Sequence, residues 1–136
     1  MDLEWKREIP PEAELAVLYR SVGWKDYAQN VPKLLAAAQK SLAVLAAWDR
    51  SVLAGWIRAV GDGETILYIQ DLLVQPDRQR RGIGRELVQR LCADFPQVRQ
   101  KVLLTDNTPR TAAFYRSLGF FPCGEGGMLS FVRFDG

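Results

Sequence analysis

The stretch that decides the fold is "DLLVQPDRQRRGIGRELVQRL", residues 71–91. An apolar segment ends at Val74 and meets Pro76, which cannot continue a ladder of backbone hydrogen bonds. Arg78, Arg80, Arg81 and Arg85 then crowd around Gly82 and Gly84. From Ile83, apolar residues recur at Leu87, Val88 and Leu91 until Pro96, the spacing of an amphipathic helix. A helix that starts near Gly82 presents backbone N–H groups with no acceptor inside the helix. Its aligned peptide dipoles add about half a positive charge at that end. Glycines without Cβ atoms let a ligand's oxygens reach the backbone closely. This strand, turn and helix start is built to hold a multiply charged anion, most simply a phosphate or pyrophosphate. Read without any ligand, the same residues make a solvated arginine-rich surface turn.

The rest of the chain narrows the choice. At 136 residues with 48% hydrophobic and 25% charged side chains, one globular domain spanning residues 1–136 is expected, with a single well-buried core. The net charge of +2 argues for no nucleic-acid partner. No histidine occurs, so the usual zinc sites, Ser-His-Asp triads and Cys-His pairs are excluded, and no metal is expected. Cys92 and Cys123 stand apart, without metal-ligand spacing or a basic partner to activate either thiol. The charged start "MDLEWKREIP" does not read as a signal peptide, and no apolar run reaches the ~20 residues of a membrane span. A cytoplasmic protein with no membrane association is the expectation.

Outward from the central stretch, helices are predicted over 11–21 and 31–41, the second with Pro32 in its first turn. "SLAVLAAWD" and "SVLAGWIRAV" read as a hairpin, with Trp48 and Trp56 in the core, and "GDG" at 61–63 as a turn. "ETILYIQDLLV" is so continuously apolar that a central strand buried on both faces is expected. "KVLLTD" is a further buried strand. In "NTPRTAAFYRSLGF", Thr108 caps a helix that opens with Pro109, and Gly119 supplies the left-handed end. "MLSFVRF", 128–134, alternates as a half-buried strand. The expected class is α/β: a mixed, mostly antiparallel central sheet with helices on both faces.

Two nucleotide motifs are absent: no G-x-x-x-x-G-K-[ST] occurs, and Gly82 and Gly84 do not continue into G-x-G-x-x-G. What does occur, Gln79-Arg80-Arg81-Gly82-Ile83-Gly84 after a strand ending "DLLV", resembles the acetyl-CoA signature Gln/Arg-x-x-Gly-x-Gly/Ala of the GCN5-related N-acetyltransferases. "AAFYRSLGF" is similar to a second block of that family, in the family's order and separation. The resemblance covers at least residues 42–134. "SVGW", "IQDLLVQP" and "GGMLSFVRF" look most like cyanobacterial and plastid-type members, some of which acetylate arylalkylamines such as serotonin and some proteins.

The resemblance implies splayed central strands and direct transfer of acetyl from acetyl-CoA to a primary amine. Gln79, Arg80, Arg81, Gly82, Ile83, Gly84 and Arg85 would wrap the pyrophosphate. The backbone of Leu72, Leu73 and Val74 would pair with the pantetheine arm where the strand parts from its neighbour near Leu73, and an N–H in a bulge there would serve the oxyanion. Tyr115, in the Phe-Tyr position, would protonate the departing thiolate. Many members carry an asparagine seven residues before this tyrosine; here Thr108 stands there and Asn107 is eight before, as a cofactor contact or the start of the helix cap. Acceptor sites in this fold lie between the first helices and the last strands, which points to Trp24, Tyr27, Met128 and Phe131.

Removing a proton from a lysine-like amine at pH 7 costs about 4–5 kcal/mol. The candidates are Asp71, Glu64 or a water chain. Asp71 interrupts a buried apolar strand and is expensive there unless paired; it either meets the substrate ammonium or accepts hydrogen bonds from nearby loop backbone. Three functions stay open: a small-molecule amine acetyltransferase, a protein lysine or N-terminal acetyltransferase, and a non-catalytic acetyl-CoA-binding module. Homodimers are common in the family, and no segment of the sequence identifies an interface.

Overall fold

The computed structural model describes residues 1–135 and divides into two compact units, Met1–Leu104 and Thr105–Gly136. The first contains a five-stranded sheet in the order β1 (Leu3–Lys6), β2 (Ala43–Asp49), β3 (Val52–Gly61), β4 (Ile66–Val74), β5 (Gln100–Leu103). The first four strands are antiparallel neighbours and β5 runs parallel to β4. The sheet is mixed and mostly antiparallel, as the sequence pattern requires. β1 and the short helix α2 are additions to that pattern, both too brief for their periodicity to register.

Helices cover both faces. α1 (Glu12–Ser21), α2 (Lys25–Gln29) and α3 (Val31–Gln39) precede the β2–β3 hairpin. Leu15, Leu18 and Tyr19 of α1 and Leu34 and Ala38 of α3 form one core with Ala46, Leu53, Trp56 and Leu73 of the sheet. Trp56 is fully buried there, while Trp48 packs against the margin. Residues alternate faces along a strand, so Gly55, beside Trp56, faces the other side. There it meets α4 (Ile83–Ala93): a Cβ on Gly55 would lie 2.9 Å from Ile83 Cγ2 and 3.0 Å from Leu87 Cδ1. Only a glycine lets the start of α4 settle this close to β3. Trp5, on β1, lies under the Arg90 guanidinium, 4.7 Å from its ring centre.

β4 carries buried residues on both faces: Leu67 and Ile69 share the face of Ala59, and Asp71 and Leu73 that of Arg58 and Trp56. Their neighbours along the strand are half-buried or exposed.

In the second unit, α5 (Pro109–Ser117) is capped by Thr108, whose hydroxyl accepts from the Thr111 N–H at 3.2 Å. Thr108, not Asn107, makes that cap, and Gly119 takes the left-handed φ of +92°. A 3-10 turn follows at Cys123–Gly126. The expected strand at 128–134 is not formed: the segment carries no ladder, and Phe131 is 90% exposed. Alternation alone does not make a strand, because extended backbone needs a neighbour for its N–H and C=O groups.

Candidate active site

Two features of β4 create an opening. β5 pairs with it only from Ile66 to Ile69; beyond that point, among the described residues, the edge of β4 away from β3 has no strand. The register against β3 slips at the same place, Arg58 facing Asp71 and Ala59 facing Ile69, so Gln70 is a bulged extra residue. The strand parts after Ile69 and bulges at Gln70, earlier than the Leu73 position expected. The Gln75 N–H donates to the Ala54 carbonyl at 2.8 Å. By the period of two, the N–H and C=O of Leu73 therefore turn toward β3, and those of Leu72 and Val74 toward the open edge. Of the three residues expected to offer backbone there, Leu72 and Val74 face outward.

The open edge runs into the arginine turn. Pro76–Arg78 forms a 3-10 turn, Arg80 adopts a left-handed φ of 64°, and Gly82 caps α4 with φ 84°. Arg80, Arg81 and Gly82 are exposed, Gly84 and Arg85 half-buried, and Ile83 is buried against β3. No protein atom lies within 4 Å of where a Gly82 Cβ would stand, so the approach to the helix start is open. Gln79 turns its side-chain amide back to the Val74 carbonyl at 3.1 Å. Arg78 points away from the turn, its Nε donating to Asp49 Oδ2 at 2.9 Å and its Nη1 to Gln75 Oε1. It does not contribute to the exposed positive cluster as the sequence suggested.

Asp71 is 2% exposed, and its partner is neither of those anticipated from sequence. Arg58, directly opposite on β3, donates from Nε to Asp71 Oδ2 at 2.7 Å, and the Tyr19 hydroxyl donates to the same oxygen at 2.7 Å. Trp56 Nε1 donates in turn to the Tyr19 oxygen at 3.2 Å. Burial, and then the adjacent carboxylate, drive the Tyr19 phenol far above its ordinary range, so it is a fixed neutral donor. This buried Trp56–Tyr19–Asp71–Arg58 network escaped sequence reasoning. The signal available was Arg58, the lone cation inside an apolar strand, one hairpin away from the lone carboxylate of the next.

Asp71 also lines a cavity of about 400 Å³ with Gln70, Gly23 and Trp24 before α2, and Lys25, Asp26 and Tyr27 of its first turn. Tyr19, Trp24 and Tyr27 pack as a triangle of tilted rings with centres 5.9–6.0 Å apart. The wall thus combines two aromatic rings, Trp24 and Tyr27, with the carboxylates of Asp26 and Asp71, the Lys25 ammonium and the Gln70 amide; rings and carboxylates are groups that can receive a small cation. Of the four expected acceptor residues, Trp24 and Tyr27 line it; Met128 and Phe131 belong to the second unit and are exposed. Glu64 lies in the β3–β4 turn, seven residues before Asp71 and so roughly 20 Å along the strand.

Tyr115, on α5, packs edge-on against Phe114 and Phe120 with ring centres 5.0 and 5.9 Å away. Burial pushes its phenol up to about 12, so it is protonated at neutral pH. Asn107 is exposed. Burial likewise raises the Cys92 thiol, which makes it a poor nucleophile. Among the described residues, no three His, Cys, Asp or Glu side chains gather as a metal would require, and no helix is long and apolar enough to cross a membrane.

The parallel pair β4–β5 parts after Ile69, β4 bulges at Gln70, and the arginine-glycine turn opens α4. Residues 3–120 match the acetyltransferase (GNAT) family, and the chain belongs to that family: it is an acetyltransferase. It is 31% identical over 124 residues to the uncharacterized N-acetyltransferase ycf52 of Porphyra purpurea, covering 88% of this chain and 71% of that one. It is 38% identical over 63 residues to the chloroplastic serotonin N-acetyltransferase 2 of Oryza sativa, covering 46% of this chain and 32% of that one. A GNAT family acetyltransferase from Streptococcus pneumoniae superposes with a TM-score of 0.88 at 31% identity, over 98% of both chains.

Proposed function

We propose that this protein transfers acetyl from acetyl-CoA to a small primary amine held in the Trp24–Tyr27–Asp71 cavity. The observation that carries the reading is the unpaired edge of β4, which leads from that cavity straight to the arginine turn. Pantetheine pairs with the outward backbone of Leu72 and Val74 as an added strand. The pyrophosphate rests on the N–H groups of Gly82 to Arg85, with the Arg80 and Arg81 charges around it. A GNAT family acetyltransferase of Brucella melitensis that shares this fold, at 24% identity and a TM-score of 0.66, is known in complex with acetyl-CoA, which supports acetyl-CoA as the acetyl donor.

In the reaction the amine nitrogen attacks the thioester carbonyl carbon, and the carbonyl oxygen gathers negative charge against a backbone N–H at the Gln70 bulge. The C–S bond then breaks, and the sulfur takes a proton from Tyr115, assigned by its place in the Phe-Tyr block and its un-ionised phenol. The acceptor enters as an ammonium and is held by Asp71, whose Oδ2 is taken up by Arg58 and Tyr19 and whose Oδ1 is left for the ligand. One proton leaves the ammonium through Asp71 or water before attack; the second, lost from the nitrogen after attack, returns through water to the Tyr115 phenolate. The aromatic triangle, together with the kinship to a serotonin N-acetyltransferase, favours an arylalkylamine among acceptors.

The test is thiol release from acetyl-CoA against tryptamine, serotonin, polyamines, aminoglycosides and lysine peptides, with product masses measured. Turnover of arylalkylamines is expected. Turnover of lysine peptides alone establishes the protein-acetyltransferase reading instead, and acetyl-CoA binding with no turnover on any amine establishes a non-catalytic module.

A further inference from the structure

Four arginines precede or open α4, and a sequence reading counts all of them toward the anion. Their geometry separates one from the rest. Arg78 has a side chain 20% exposed, held by Asp49, itself 15% exposed. Its second contact, to Gln75 Oε1, ties it to the residue whose N–H continues the β3–β4 ladder through Ala54. Asp49 closes β2 at the hairpin turn and receives a second donor, the Asp2 backbone N–H at 3.1 Å. These hydrogen bonds hold its carboxyl below the usual carboxylate range, consistent with a permanently charged anchor. The pair therefore links three separate pieces: the chain's first strand, the tip of the β2–β3 hairpin, and the entry to the arginine turn.

The turn needs such a link. Arg80 is a non-glycine residue in left-handed conformation, a strained backbone that persists only where surrounding contacts impose it. Between the end of β4 and the start of α4 the chain has only the 3-10 turn at Pro76–Arg78 to set its direction. We infer that Arg78 is a positioning residue for the cofactor turn and not a phosphate ligand: clamped by Asp49, it fixes where Arg80 to Gly84 present their N–H groups. The inference rests on the acetyl-CoA reading above and adds to it two residues that touch no part of the cofactor.

The two roles give opposite signs for one substitution. If Arg78 were a phosphate ligand restrained by Asp49, Asp49→Asn would release its charge to the anion, and acetyl-CoA would bind as well or better. As a strut, Arg78 loses its anchor, and binding weakens. Calorimetric titration of acetyl-CoA into Asp49→Asn, Arg78→Gln and the double variant measures this. About threefold to tenfold weaker binding is expected in each single variant, the range of a partly buried ion pair, with the double variant no weaker than either alone. In turnover, KM for acetyl-CoA rises while kcat at saturation changes little. The charge-swapped pair Asp49→Arg/Arg78→Asp recovers affinity to within about twofold of wild type, an outcome closed to a phosphate ligand, since an aspartate then stands at position 78. Circular dichroism and Tm confirm that each variant is folded, and the swap covers the case in which Asp49→Asn loosens the N-terminus. Unchanged or tighter binding by Asp49→Asn, or additive losses in the double variant, overturns the inference. A wild-type protein that does not bind acetyl-CoA at all overturns the acetyl-CoA reading and the inference with it.

Discussion

Replacing Asp71 with alanine tests the buried network and the acceptor assignment together. Asp71 and Arg58 are 2% and 7% exposed and meet at 2.7 Å. Removing the carboxylate leaves the Arg58 guanidinium buried with Ser41 Oγ as its remaining partner, at 3.3 Å. It also takes away the acceptor of the Tyr19 hydroxyl. Breaking one side of such a pair costs about 3–5 kcal/mol, chiefly the stranded charge. For a chain of this length that lowers Tm by roughly 10–17 °C. Guanidinium denaturation, followed by Trp56 fluorescence, gives the free energy directly, with an unchanged slope showing that only stability moved. Adding Arg58→Met should return most of the loss, because an apolar pair of similar volume replaces an ion pair at little net cost. Activity should not return with it, since Oδ1 is gone from the cavity. A loss below about 1 kcal/mol for Asp71→Ala, or a double variant no more stable than the single, would refute the stranded-charge argument. Recovery of acetyl transfer in the double variant would remove Asp71 from acceptor binding.

Two further substitutions probe the cofactor half. Tyr115→Phe should lower kcat by about 100-fold, the usual scale of a positioned acid, with KM for acetyl-CoA nearly unchanged; equal turnover removes Tyr115 from the reaction. Because burial pushes the phenol up to about 12, above its unfolded value near 10, its proton adds stability that is whole below pH ~10 and is lost as pH rises toward 12. Wild type should accordingly lose more stability than Tyr115→Phe between those values, and parallel alkaline unfolding curves would contradict the assignment. Gly55→Ala places a methyl against Ile83 and Leu87 and should cost about 1–3 kcal/mol while weakening acetyl-CoA through a displaced α4. Equal affinity in that variant would show that the helix start tolerates the shift.

Much of this architecture is legible because it is local. The turn at 78–84 needs glycines and a helix start within a few residues, and the periods of α1, α3 and α4 follow from neighbours three and four apart. The Thr108 cap and the Gly119 end of α5 are equally local. The C-terminal alternation at 128–134 was misleading for the converse reason: a strand is completed by a partner that lies outside the segment.

By itself the sequence determined the family, the arginine-glycine turn before a helix, and the elements α1, α3, α4, α5 and β2 to β5, all carried by short-range pattern. Only the tertiary structure decided which charges are free to meet a ligand. Arg58 and Asp71 are thirteen residues apart, and Arg78 and Asp49 twenty-nine; each pair meets because the sheet folds β2, β3 and β4 side by side. No spacing rule along one strand anticipates a contact made between strands. It is that pairing which turns Asp71 from an isolated buried carboxylate into a held one at the cavity wall, and turns Arg78 toward Asp49 while Arg80 and Arg81 stay exposed.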